Sequence, residues 1–147
     1  MIEKLKNEIK LAMRTTNRTR LTTLRCLLSE VQKIAINDRR KDITESDLID
    51  AVQRGIKQRN NSIIQFKEGN RDDLVMKEQV ELCIYNEFQL KQMSDEDIIN
   101  IVDKVINEIG ATSKKDMSHV MSSLKKQVVK GTVDIKKLSH MVISKLN

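Results

Sequence analysis

The sequence predicts an all-α protein, and three observations carry that prediction. Apolar residues recur at intervals of three and four along almost the whole chain. No stretch alternates apolar with polar residues in the β-branched composition of a strand. Caps and stops punctuate the pattern: Thr44, Ser94, Ser113 and Asp134 stand where helices begin, and Gly69, Gly110 and Gly131 where they end.

Seven helices follow in order. The first covers residues 2–14, with Ile2, Leu5, Ile9 and Met13 on one stripe. The second runs from about Thr19 to Asn37 and turns Leu21, Leu24, Leu28, Val31 and Ala35 inward. Arg39, Arg40 and Lys41 follow its C-terminal end, where the helix dipole favours cations. The third starts at Thr44, and its TESD run places Asp47 three residues past the cap. It carries Leu48, Val52, Ile56, Ile63 and Phe66 and ends at Gly69-Asn70. The fourth opens with Arg71-Asp72-Asp73 and fades near Phe88; its tight connection to the third predicts an antiparallel pair. Ser94 caps the fifth through SDED, with Ile98, Ile99, Val102, Val105, Ile106 and Ile109 as its stripe. Ser113 caps the sixth through SKKD, with Met117, Val120, Met121, Leu124 and Val128 inside and Gly131 as its stop. Asp134 caps the seventh, with Leu138, Met141, Val142 and Leu146 inward. The last three are short and separately capped. The expected organisation is a four-helix N-terminal domain over residues 1–92 and a small three-helix C-terminal tail domain over residues 93–147.

The net charge of +6 is unevenly spread. Residues 1–41 hold 11 Lys and Arg against 4 Asp and Glu, residues 42–109 hold 8 against 15, and residues 110–147 hold 8 against 2. Two basic ends flank an acidic middle. At the N-terminal end, solvated lysine-rich helices explain the excess as well as a partner does. At the C-terminal end the carboxylates for i,i+4 pairs are missing, so the excess points to a polyanion.

Several function classes are disfavoured. No run approaches the ~18 uncharged apolar residues of a membrane span. The opening MIEKLKNEIKLAMR lacks the apolar stretch of a secretory signal, and Glu3 and Glu8 are unlike an acid-poor mitochondrial transit peptide. Cys26 and Cys83 are too distant in sequence for a disulfide framework and are expected to pack as small hydrophobes, in a reducing, cytoplasmic location. Phe66, Tyr85 and Phe88 are too few and too clustered for a base-stacking platform. Neither GxxxxGK[ST] nor GxGxxG occurs. His119 follows Ser118, but helical neighbours point about 100° apart and form no nucleophile–base pair. Glu78 and Glu81 share a helix face; pairing with Arg25, Arg54, Lys57, Arg59 or Arg71 across the bundle is expected before acid–base chemistry. No catalytic residue, metal ligand set or cofactor is expected.

Four segments carry a family resemblance: LTTLRCLLSEV (Leu21–Val31), KQRNNSIIQFKEGNRDDLVMKEQVEL (Lys57–Leu82), GATSKKDMSHVM (Gly110–Met121) and KGTVD (Lys130–Asp134). In this order they resemble the YqeY family over nearly the whole chain. The last two also resemble the tRNA-binding tail domain of tRNA-dependent amidotransferases. The resemblance implies a four-helix part followed by a three-helix tail. In the amidotransferase that tail grips the body of a tRNA while other domains carry out the chemistry. Family members are assigned carbon–nitrogen ligase activity with glutamine as amide donor. The chain departs from the family pattern at Leu90, where proline is usual and whose absence frees the fourth helix to run on. It departs again at Ser118 and Ser122, where glycines are usual, and at Thr132, which replaces a cation.

The expected function is that of a stand-alone accessory factor that binds tRNA or another structured RNA, with an amidotransferase or aminoacyl-tRNA synthetase as a further partner. The alternative is an adaptor docking on such an enzyme without touching RNA. Lys114, Lys115, His119, Lys125, Lys126, Lys130, Lys136 and Lys137 are the expected RNA-contacting set. Lys114 and Lys115 sit beside the free N–H groups of a helix start, which attract anions. With no aromatic platform, recognition is expected to read shape and sugar-phosphate.

Overall fold

The computed structural model describes residues 1–146, and its regular elements are all helical. They are α1 (Ile2–Arg14), α2 (Arg18–Asn37), α3 (Glu45–Glu68), α4 (Asp72–Asn86), α5 (Asp95–Ile109), α6 (Met117–Gln127) and α7 (Ile135–Lys145). A single 3-10 turn (Lys114–Asp116) precedes α6. The chain divides into two compact units, Met1–Gln89 and Leu90–Asn147.

The first unit holds α1–α4 around Leu5, Leu24, Leu27, Val31, Leu48, Val52, Tyr85 and Phe88. α3 and α4 run antiparallel: Gly55 meets Tyr85, and Arg59, four residues on, meets Glu81, four residues back. The second unit closes α5–α7 around Ile98, Val102, Val105, Val120, Leu124, Leu138 and Val142. Local chemistry sets the helix starts. Thr44 with Asp47 and Ser94 with Asp97 each form a reciprocal capping box, the Asp116 carboxylate accepts from the Ser113 N–H at 3.1 Å, and the Asp134 carboxylate accepts from the Lys136 N–H at 2.8 Å. Gly110 ends α5 at φ 69°, a left-handed conformation that glycine adopts without strain.

Part of the basic character of residues 1–41 is structural. The Arg20 guanidinium bridges Glu8 at 2.6 Å and Glu87 at 2.7 Å, and Arg40 spans Asp38 and Asp47.

Five expectations are corrected. Met13 is half exposed, and Ala12 takes the inward place on α1. Cys26 and Cys83 are exposed, because α2 buries Leu24 and Leu27 on either side of the first, and α4 buries Ile84 and Tyr85 just past the second. Arg71 does not cross the bundle; it is exposed and pairs with its neighbour Asp73. α4 stops at Asn86 without the missing proline. α6 stops at Gln127, four residues before Gly131: Val128 is extended, the Thr132 carbonyl accepts from the Met93 N–H at 2.8 Å, and the Gln92 amide donates to the Gly131 carbonyl at 2.7 Å. These hydrogen bonds hold the segment that follows the helix end.

Candidate nucleic-acid interface

Burial of Val120 and Leu124 fixes the rotation of α6 and turns its opposite side to solvent. Lys115, His119, Ser122 and Lys126 follow one another at spacings of four, three and four, so they share that outer side. All four are exposed, as is Ser118. Lys115, Asp116, Ser118, His119 and Ser122 line a shallow recess of about 560 Å³ with Ile109 at the end of α5. A second recess of about 210 Å³ continues it along Ile109, His119, Ser122, Ser123 and Lys126. The result is a strip with a cation towards each end and short hydroxyl side chains between.

Asp116 is the carboxylate at this strip. The N–H groups of Thr112 and Ser113, each at 3.1 Å, hold it below the usual carboxylate range, and His119 adds to the effect. Its oxygen is thereby spent on capping the 3-10 turn.

The eight expected contact residues are not all brought together. Lys115, His119 and Lys126 line the two recesses; Lys114, Lys125, Lys130 and Lys136 are exposed but line neither. Lys137 pairs with Asp95, and Lys145 pairs with Asp103 at 2.6 Å. Both pairs join residues 42 apart in the same order, so α5 and α7 run parallel and the acidic row of one neutralises a basic row of the other. The carboxylates missing at i,i+4 spacing thus come from a neighbouring helix.

The cross-helix partner expected for Glu81 is Arg59, one of the five candidates, and sequence reasoning missed the Gly55–Tyr85 contact beside it. Arg59, 8% exposed, donates to Glu81 through Nε at 3.2 Å and to the Gly55 carbonyl at 3.2 Å, with its guanidinium 3.9 Å from the Tyr85 ring centroid. Burial, with a smaller contribution from Cys26, pushes the Tyr85 phenol up to about 12. A Cβ at Gly55 would lie 2.1 Å from Tyr85 Cε1, so only glycine admits the ring. The available signal was a glycine inside an otherwise continuous helical pattern. Every nitrogen of Arg59 has a protein partner, which marks this cluster as structural. Among the described residues, no three His, Cys, Asp or Glu side chains are grouped to hold a metal, and no helix is long and apolar enough to cross a membrane.

A family model described as "Yqey-like protein" matches residues 2–146. Among curated proteins, the chain is similar to Altered inheritance of mitochondria protein 41, mitochondrial, of Pyrenophora tritici-repentis: 30% identity over 151 residues, covering 99% of this chain and 82% of that one. The protein of the same name from Kluyveromyces lactis is 38% identical over 88 residues, covering 60% of this chain and 48% of its own. That of Eremothecium gossypii is 33% identical over 110 residues, covering 74% and 60%. The chain thus spans about four-fifths of the first relative and half to three-fifths of the other two. All three are named as mitochondrial, which overturns the cytoplasmic location expected from the sequence. That expectation rested on the two unpaired cysteines and on the composition of residues 1–14. Those residues form α1, with Leu5 and Ala12 buried, Glu8 paired to Arg20 and the Met1 amino group paired to Glu45, so their composition reports packing.

Proposed function

The chain belongs to the Yqey-like protein family, and from that premise we propose that it is an accessory factor that binds structured RNA, tRNA foremost, through the outer side of α6. The observation that carries the reading is the strip Lys115–His119–Ser122–Lys126 beside two continuous recesses. From Lys115 to Lys126 the strip is roughly 16 Å long at the α-helical rise. The two ammonium groups neutralise phosphates, and the imidazole and serine hydroxyls hydrogen-bond phosphate or ribose oxygens. The short serines let a sugar-phosphate backbone approach the helix closely. Such contacts recognise a folded RNA by its backbone and shape. The resemblance of Gly110–Met121 to an amidotransferase tail supports tRNA as the RNA. On this reading the carbon–nitrogen ligase chemistry assigned to the family belongs to a partner enzyme, an amidotransferase or a synthetase, which this chain serves.

Filter binding of bulk tRNA across a salt series tests the proposal. Removing two phosphate contacts by Lys115→Ala with Lys126→Ala should weaken binding and reduce the log–log salt slope by roughly 1.4–1.8. Circular dichroism should be unchanged, since both side chains are exposed. Unaltered affinity and slope in that variant contradict the proposal.

One observation favours the adaptor reading. Met76 and Val80, one turn apart on α4, are 67% and 49% exposed, which suits a protein contact. A partner that survives nuclease treatment in a pull-down, and is lost with Met76→Ser and Val80→Ser, would support it.

A further inference from the structure

We infer that the outer side of α3 is a second RNA-contacting surface, a track for sugar-phosphate carried by the N-terminal unit; the inference rests on the RNA reading above and adds a site to it. α3 is 24 residues long, and Leu48, Val52, Gly55, Arg59 and Ile63 turn into the unit. Opposite them, Arg54, Lys57, Gln58, Asn61, Ser62 and Gln65 line a shallow recess of about 390 Å³. Their spacing alternates between three and one, so the six keep to one side of the helix over three turns.

Some exposed cations of the unit come with a carboxylate: Lys6 with Glu3, Lys33 with Glu30, Arg71 with Asp73. Along the track the residue four past Arg54 is Gln58, and the residue four past Lys57 is Asn61. The six lining residues include two cations, three amides and a hydroxyl, with no acid among them; Asp50, one turn before Arg54, lies outside the recess. None of the six side chains is engaged in an ion pair or side-chain hydrogen bond with another described residue. Arg54 and Gln58 also line a neighbouring recess with Glu30, whose carboxylate pairs with Lys33, and the two cations of the track suit an anion. Amides that accept as well as donate suit the 2′-hydroxyl, which is both donor and acceptor, as well as the phosphate. A ribose-phosphate chain repeats and can meet polar groups along three turns of the helix. The α6 strip has the same plan, with cations separated by short polar side chains.

The test uses the full chain and bulk tRNA. Arg54→Ala with Lys57→Ala should lower the log–log salt slope by roughly 1.4–1.8, in addition to the loss caused by Lys115→Ala with Lys126→Ala. Gln58→Ala with Asn61→Ala should weaken tRNA binding several-fold and leave the slope unchanged. Wild-type affinity and slope in the Arg54/Lys57 variant, with wild-type helicity, overturn the inference. If the Lys115/Lys126 variant is weakened in the same experiment, the RNA reading survives that failure. Absence of tRNA binding by the wild-type chain overturns both. Poly-glutamate binding that falls in parallel with tRNA binding makes the track a general anion surface and also overturns it.

Discussion

Tyr85 occupies a place that exists only because residue 55 has no side chain. The ring lies where a Cβ would be, the Arg59 guanidinium lies over it, and Glu81 closes the cluster. Gly55→Ala should therefore destabilise the first unit by about 1–3 kcal/mol through overpacking, although alanine is the better helix former. Chemical denaturation measures the difference; a variant as stable as wild type would mean that the ring moves aside at no cost. Glu81 was legible as one half of a cross-helix pair, and Arg59 stood among five candidate partners. Selecting it required the register of α3 against α4, which is set by packing around the Tyr85 ring. Cys26 and Cys83 were misread for a related reason. Each lies next to apolar neighbours in sequence, but a helix turns adjacent residues to different sides.

Helix starts were legible because a cap is made among four consecutive residues. Thr44 and Asp47 illustrate it: each side chain satisfies the other's backbone N–H, and the box opens α3. Asp47 does more than the sequence indicated, since the Arg40 guanidinium is the first cause holding its carboxyl well below the usual carboxylate range. A carboxyl depressed in the folded state stabilises above its unfolded pKa of about 3.9, and that contribution is lost as pH falls towards the folded value. Thermal melts should show Asp47→Asn less stable than wild type by a constant amount above about pH 5, with the gap narrowing below about pH 4. A gap independent of pH would contradict the assignment. Helix ends were less legible. The stop of α6 at Gln127, where Val128 turns extended, is announced by no local pattern, and the segment beyond it is held by hydrogen bonds from residues 92 and 93. The pairing of Lys137 and Lys145 with α5 escaped the sequence for the same reason, since the partners lie 42 residues away.

At the scale of the molecule, charge counted by segment differs from charge as folded. Residues 110–147 look strongly basic alone, but the second unit also contains α5 and its carboxylates. From residue 90 onward there are ten lysines and seven acidic residues. Net charge therefore does not single out a binding surface, and the proposed one rests on the placement of individual cations. On α7 two lysines are balanced by Asp95 and Asp103, whereas Lys115, in the 3-10 turn before α6, and Lys126, on α6, border the recesses with His119 between them. The all-helical class was readable from periodicity, and the family from four short segments matched in order. The candidate site was readable as a set of basic residues, and its division into a strip and a neutralised row needed the fold. The most direct measurement is an NMR titration of the isotope-labelled full chain with tRNA. The account predicts that the largest amide shifts fall on Lys115, His119, Ser122 and Lys126. Shifts confined to α7, or none at saturating tRNA, would contradict it.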